Sequence, residues 1–310
     1  MDGKGLGGVV PPLPTPMTED RRDVDLDALV DLVEWLLGAG VHGLWVLGTT
    51  ARFDLLSDEA QRAVAEAVAR QVGGRVPLVL NVSDLGTIRT LARGRMFADL
   101  PYDYYAVLPP WYQRMTEAEV RDYFVRLGDE LPRPLVIYNA PWVCNELSFE
   151  LLRELGEHPR VVGCKDVTGV MGRGEVWSRA EREVAGFRYL HGSDRIAESA
   201  VLGADGFVSA LSDVVPELAV AVWEAAVRGD QARAARIQVQ YTRLGMGLSF
   251  GPMLACLDAV GRHRGLFRSM LPPPLRPLDE GAARRVVDWF EAVGWEPDRP
   301  VRPEPSWVRA

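Results

Sequence analysis

The sequence predicts an α/β protein: a (β/α)8 TIM barrel with a C-terminal helical extension. Three observations predict it. Eight short apolar runs of strand length recur between residues 8 and 209. Stretches with helical apolar spacing separate most of them, the alternation expected of a parallel sheet with crossover helices. After the eighth run the chain shows helical pattern only. The length of 310 residues allows one large α/β domain or two smaller ones, and a 47% hydrophobic share supplies an ample core.

The first strand is read at Gly8 to Leu13, broken by Pro11 and Pro12. Asp25 to Leu37 places apolar residues at 26, 29, 30, 33, 36 and 37, one face of a helix, and Gly38 and Gly40 stop it. Leu44 to Leu47 is the second strand and ends in Gly48-Thr49-Thr50. Ser57 caps a second helix that runs to about Val72. Pro77 to Val82 is the third strand and Thr87 to Ala98 the third helix. Tyr104 to Leu108 is the fourth strand, closed by Pro109-Pro110. Thr116 with Glu119 three residues on is a capping box opening the fourth helix. Leu135 to Tyr138 is the fifth strand, Ser148 starts a helix to Leu155, and Val161 to Lys165 is the sixth strand. Gly174 to Val184 carries a helical pattern. Phe187 to Leu190 is the seventh strand, Ile196 to Leu202 a short helix, and Gly206 to Ser209 the eighth strand.

Four helices follow, at Pro216 to Arg228, Asp230 to Leu244, Pro252 to Gly261 and Glu280 to Val293. A Pro-rich joint at Pro272-Pro273-Pro274 precedes the last. One barrel unit needs fewer, so the surplus reads as an extension available for self-association. The expected organisation is a barrel over 1–212, the last barrel helix and extension over 213–296, and a loose tail over 297–310.

Composition narrows the function. Net charge is −8 and no basic block appears, which argues against nucleic acid as a partner. No apolar stretch is long enough to span a bilayer, and Met1 to Val10 lacks the regions of a signal peptide. Cys144, Cys164 and Cys256 are widely spaced, fitting a reducing cytoplasm and neither a disulfide framework nor a zinc site. His42, His158, His191 and His263 show no metal-ligand spacing. The expected partner is a small molecule.

The chemistry collects around Val161 to Gly169. Side chains alternate along a strand, so Lys165 shares a face with Gly163 and Val161. If that face points inward, the amine ends a buried strand. Desolvation lowers an amine's pKa, and an amine so placed attacks carbonyls to form an imine. The opposing reading is a surface lysine paired with Asp166, since structural ion pairs also place lysines at strand ends. This stretch alone does not decide between them.

Barrel active sites lie at the C-terminal ends of the strands. Those ends carry Thr49 and Thr50, Trp111 and Tyr112, Tyr138, Lys165, and Ser193 and Asp194. Neighbouring strands run roughly 4.8 Å apart, so the Tyr138 phenol and the Lys165 amine can share a pocket. Imine chemistry needs a proton shuttle, which a phenol beside an amine supplies. The Thr49-Thr50 hydroxyls and turn amides suit a carboxylate. Each residue alone has an ordinary explanation, as a turn threonine or a tyrosine filling a barrel top. Their joint appearance at one face favours a site.

Four stretches then carry a family resemblance. They are Gly48-Thr49-Thr50 with Leu56-Ser57 and Glu59 following, Tyr138-Asn139-Ala140-Pro141, Gly163-Cys164-Lys165-Asp166, and Gly203 to Ser209 ahead of Pro216-Glu217. In this order and spacing the chain resembles the dihydrodipicolinate synthase / N-acetylneuraminate lyase superfamily of Schiff-base class I aldolases, from about Val9 to Val293. The resemblance implies a homo-oligomer, tetramer or dimer, that needs no metal or organic cofactor. It implies Lys165 as the imine-forming lysine, Tyr138 as the proton relay with Thr49, and Thr50 as the holder of the carboxylate of pyruvate or another 2-oxo acid. Tyr112 matches a tyrosine that in several members reaches a neighbouring subunit's site, and Trp111 takes the preceding aromatic position. Val208 and Ser209, in the matching eighth-strand segment, are expected to bind substrate.

The departures bear on the substrate. Ala51-Arg52 replaces Gly-Glu and reverses the local charge. Two readings of Arg52 stand: it binds an acidic group on the substrate, or it turns to solvent. Val143 occupies the position where dihydrodipicolinate synthases place an arginine for the aldehyde's carboxylate, which argues against that activity. Asp213 stands near where members often have asparagine, and the sequence assigns it no role. Trp45, Trp111 and Trp142 read as core packing or as an apolar pocket for a second substrate. Thr50-Ala51 and Pro110-Trp111 also resemble the hydratase-aldolases acting on aryl-idene pyruvates, a branch that usually keeps an acidic residue where Arg52 stands.

The expected function is a cytoplasmic lyase that joins or cleaves a 2-oxo acid and an aldehyde through an imine on Lys165, and is not a true dihydrodipicolinate synthase. The alternatives are a hydratase-aldolase or 2-oxo-3-deoxy sugar acid dehydratase using the same imine, and a barrel that binds a 2-oxo acid without turnover.

Overall fold

The computed structural model describes residues 5–168, 181–182 and 186–297. Eight parallel strands form one sheet in the order β1-β8-β7-β6-β5-β4-β3-β2. They are β1 Gly8–Val9, β2 Leu44–Val46, β3 Leu78–Asn81, β4 Tyr104–Val107, β5 Leu135–Asn139, β6 Val161–Asp166, β7 Arg188–His191 and β8 Gly206–Phe207. The two ends of the sheet meet through backbone bonds from His42 N to Val9 O (2.8 Å) and from Trp45 N to Pro11 O (2.9 Å). The strand side chains are almost all buried, as a parallel sheet covered on both faces requires.

The helices between strands are α1 Leu26–Gly38, α2 Asp58–Val72, α3 Thr87–Met96, α4 Glu117–Glu130, α5 Phe149–Gly156 and α6 Ile196–Val201. Side-chain caps open most of them. Asp25, Ser57, Thr116 and Ser148 each accept a bond from the first-turn amide three residues on, and Thr116 with Glu119 completes the predicted capping box. Four further helices follow β8: α7 Pro216–Val227, α8 Gln231–Gly247, α9 Met253–His263 and α10 Glu280–Val293.

Every strand and α-helix named above stands where the sequence placed one, with shifted bounds, while the sequence does not predict the 3-10 turns Phe53–Leu55, Ala210–Asp213 and Leu248–Phe250. The first run shortens to two residues, since Pro11 and Pro12 have no amide to offer a ladder. The seventh strand starts at Arg188, because the Phe187 amide bonds Arg182 O (2.8 Å) instead. The sixth extends to Asp166, whose carbonyl accepts from Gly192 N (2.7 Å). The helix expected over 174–184 lies almost wholly outside the described residues, as does the tail.

One continuous apolar core runs from Leu6 to Val293 and includes Trp289 and Phe290 of α10. The Trp289 indole also donates to Arg243 O of α8 (2.7 Å). The C-terminal helices are therefore part of the same packed body. A 3-10 turn, Leu248–Phe250, links α8 to α9 and brings Leu248, Met253 and Leu254 to the cavities described next. No single helix among the described residues is long and apolar enough to cross a membrane.

Candidate active site

Lys165 is 4% exposed and lines a cavity at the strand ends together with Tyr138, so its β6 face is the inward one. Parallel pairing sets Tyr138 opposite Lys165 in register. The Lys165 Nζ stands 4.1 Å from the centroid of the Tyr138 ring and 5.0 Å from that of Trp45, which is fully buried. Two aromatic faces thus hold the amine in place. The surface-lysine reading fails on burial. Asp166 is instead buried and accepts bonds from Asn139 Nδ2 (3.2 Å), Thr168 N (3.0 Å) and the Tyr189 hydroxyl (3.0 Å), tying β5, β6 and β7 together. Lys165 is one of two lysines in the chain, the other being Lys4.

The Tyr138 hydroxyl lies 3.1 Å from Thr49 Oγ1. Thr49 and Thr50 occupy a turn bounded by two residues in the left-handed region, Leu47 (φ 55°) and Arg52 (φ 52°). Such backbone is costly for residues with a Cβ and persists where the surroundings dictate it.

An inner cavity of about 430 Å³ is lined by Lys165, Tyr138, Thr49, Thr50, Asp194, Val208 and Ser209, among others. Ser209 donates to the Asp194 carboxylate, and its hydroxyl lies 3.1 Å from that of Tyr241. Burial pushes the Asp194 carboxyl up, and the Ser209 bond draws it partly back. Asp213 closes the 3-10 turn that follows β8. It is 1% exposed and neither carboxyl oxygen has a hydrogen-bond partner. Burial pushes it well above the carboxylate range, against the opposing pull of the Lys165 charge. Burial also lowers the His191 pKa, and the ring's Nδ1 lies 2.7 Å from Ser199 Oγ and 3.0 Å from Ser193 Oγ.

An outer cavity of about 400 Å³ shares Thr49, Thr50, Trp142 and Met253 with the inner one. Its other walls are Arg52, Phe53, Asp54, Leu108, Trp111, Val143 and Leu254. Phe53 and Trp111 meet edge to face at 6.0 Å. Arg52 matches neither expectation simply. It lines the cavity, but its Nε and Nη2 donate to the two oxygens of Asp54 at 2.9 and 2.7 Å. That bond, with some help from charge, raises the Arg52 pKa.

Of the residues singled out in the sequence, Lys165, Tyr138, Thr49, Thr50, Val208 and Ser209 meet in the inner cavity, and Arg52 and Trp111 in the outer. Tyr112 lines neither and is 78% exposed. The strand-end rule missed Met253 and Leu254, because they come from the extension, and Phe53, which sits on a 3-10 turn after β2.

Residues 5–293 match the Dihydrodipicolinate synthetase family. The chain belongs to this family. An uncharacterised DapA-like lyase of Halobacterium salinarum is 33% identical over 282 residues, covering 90% of this chain and 91% of that one. A 4-hydroxy-tetrahydrodipicolinate synthase of Xanthomonas axonopodis pv. citri is 33% identical over 295 residues, covering 91% and 94%. The dihydrodipicolinate synthase of Bacteroides thetaiotaomicron superposes with a TM-score of 0.85 at 27% identity, over 92% of this chain and 98% of that one. YagE of E. coli K12, a family member solved with pyruvate, shares the fold at 24% identity and a TM-score of 0.85, over 93% and 98%. The family and the barrel read from the sequence are therefore correct, and the chain is a lyase of the dihydrodipicolinate synthetase family.

Proposed function

We propose that the protein makes or breaks a carbon–carbon bond between pyruvate, or a related 2-oxo acid, and an aldehyde, through an imine on Lys165. One observation carries this reading: a buried amine packed on the Tyr138 ring, whose hydroxyl is held to Thr49. The Lys165 nitrogen attacks the ketone carbon, and loss of water gives a protonated imine. Loss of a proton from the neighbouring carbon gives an enamine, the imine nitrogen having served as electron sink. The enamine carbon attacks the aldehyde carbonyl, whose oxygen takes up a proton. Water then releases a 4-hydroxy-2-oxo acid and restores the amine. The reverse sequence cleaves that acid. Tyr138 and Thr49 move the protons, Thr50 and the turn amides hold the carboxylate, and Val208 and Ser209 wall the pocket. Tyr112 serves the site of a second copy in a homo-oligomer.

Relatives named as 4-hydroxy-tetrahydrodipicolinate synthases share this scaffold. Val143 and the pairing of Arg52 with Asp54 support a different aldehyde here. A second reading keeps the imine and ends in dehydration of a hydroxylated 2-oxo acid. Asp194 favours it, as an inner-cavity carboxyl whose pKa burial raises, the direction that suits handing a proton to a leaving hydroxyl. Identification of products from pyruvate with aldehydes, and from sugar-derived 2-oxo acids, separates the two.

Incubation with pyruvate and borohydride is expected to fix a reduced adduct on Lys165. Replacing Tyr138 by Phe should slow turnover by about 10²–10⁴-fold. An adduct on Lys4, or none, overturns the imine.

A further inference from the structure

We propose that the outer cavity receives the side group of an uncharged aromatic aldehyde, so that the acceptor of the Lys165 enamine carries neither a carboxylate nor a chain of hydroxyls. This rests on the imine reading above and specifies its second substrate.

Position comes first. The acceptor's carbonyl must reach the carbon next to the imine, which lies in the inner cavity. The rest of the acceptor then has to extend elsewhere. The outer cavity adjoins along the wall made by Thr49, Thr50, Trp142 and Met253. Its volume of about 400 Å³ is within the range of small-molecule sites, roughly 300–1,000 Å³.

Lining decides the chemistry. Phe53, Leu108, Trp111, Val143 and Leu254 present apolar surface, and the edge-to-face Phe53–Trp111 pair is the geometry in which a further ring stacks or packs by its edge. The hydroxyl of Thr49 is already engaged by Tyr138. A polyol would leave hydroxyls desolvated with few partners, a cost that discriminates strongly.

Charge excludes the remaining class. Among the described residues Arg52 is the one cation lining this cavity, and Asp54, which lines it too, takes two of its donors in a bidentate pair. A substrate carboxylate would have to displace Asp54, leaving that carboxylate beside it, and enter apolar surroundings. The wall residue Val143 offers it no charge.

The test is a panel of acceptors with pyruvate on the native chain: benzaldehyde, succinic semialdehyde and glyceraldehyde. Benzaldehyde is expected to show a kcat/KM about tenfold or more above either of the others. Val143→Arg, which fills the cavity and adds a cation, is expected to narrow or reverse the order of benzaldehyde and succinic semialdehyde. Borohydride trapping with pyruvate alone runs in parallel. If Lys165 is trapped and succinic semialdehyde or glyceraldehyde matches or exceeds benzaldehyde, the acceptor assignment falls while the imine stands. If Lys165 is not trapped, both fall.

Discussion

Asp213 shows what a single buried acid does to the energetics of this site. Its raised carboxyl keeps its proton in the folded chain over a range where the unfolded chain, near the usual value of about 3.9, has lost it. The folded state therefore binds more protons than the unfolded one, and stability is lost as pH rises from about 4 toward the raised folded value. Asparagine cannot ionise and removes that loss. The difference in Tm between Asp213→Asn and the native chain is thus expected to move in the variant's favour from pH 5 to pH 8. Melting curves at the two pH values check it, and a constant difference would remove the argument. Legibility at this scale is uneven. Lys165 and Tyr138 can be read from strand alternation and neighbouring strands, because both are properties of local sequence. The Arg52–Asp54 pair cannot, because it depends on Arg52 taking a left-handed backbone. Neither can the isolation of Asp213, which depends on what packs around the turn.

Among the elements, the seam between β1 and β8 leaves no room for a side chain at its glycine pair. Gly206 pairs with Gly8, and a Cβ at 206 would lie 2.5 Å from the Gly8 backbone N and O. Neither backbone atom can swing away as a side-chain tip would. Gly206→Ala is expected to cost about 1–3 kcal/mol, the range of overpacked cores. Urea denaturation measures it, and an unchanged midpoint would show that the seam has slack. Strands and caps were largely legible, since Thr116 and Glu119 need only their own segment to form a box. Strand ends were less so, because a residue such as Phe187 leaves the ladder for the carbonyl of Arg182, a bond no apolar pattern marks.

For the whole molecule, Leu85, Ile88 and Tyr112 stand exposed in segments that follow the adjacent strands β3 and β4. Exposed apolar groups at one end of a barrel favour association between copies. Light scattering is expected to find a dimer or tetramer, and Ile88→Glu to shift it toward monomer. A native chain that is monomeric at micromolar concentration would sink this expectation. The docking of α9 against the cavities was not legible, since periodicity marks a helix without saying where it lands.

The scarcity of lysine reaches beyond the site. Aldehydes condense with free amines, and arginine, which does not give up its proton in proteins, offers them little. With Lys165 enclosed and Lys4 the single other lysine, the exterior gives a reactive carbonyl almost nothing to decorate or cross-link. On the proposed chemistry, in which the chain works among aldehydes, this composition would limit carbonyl damage to the protein itself.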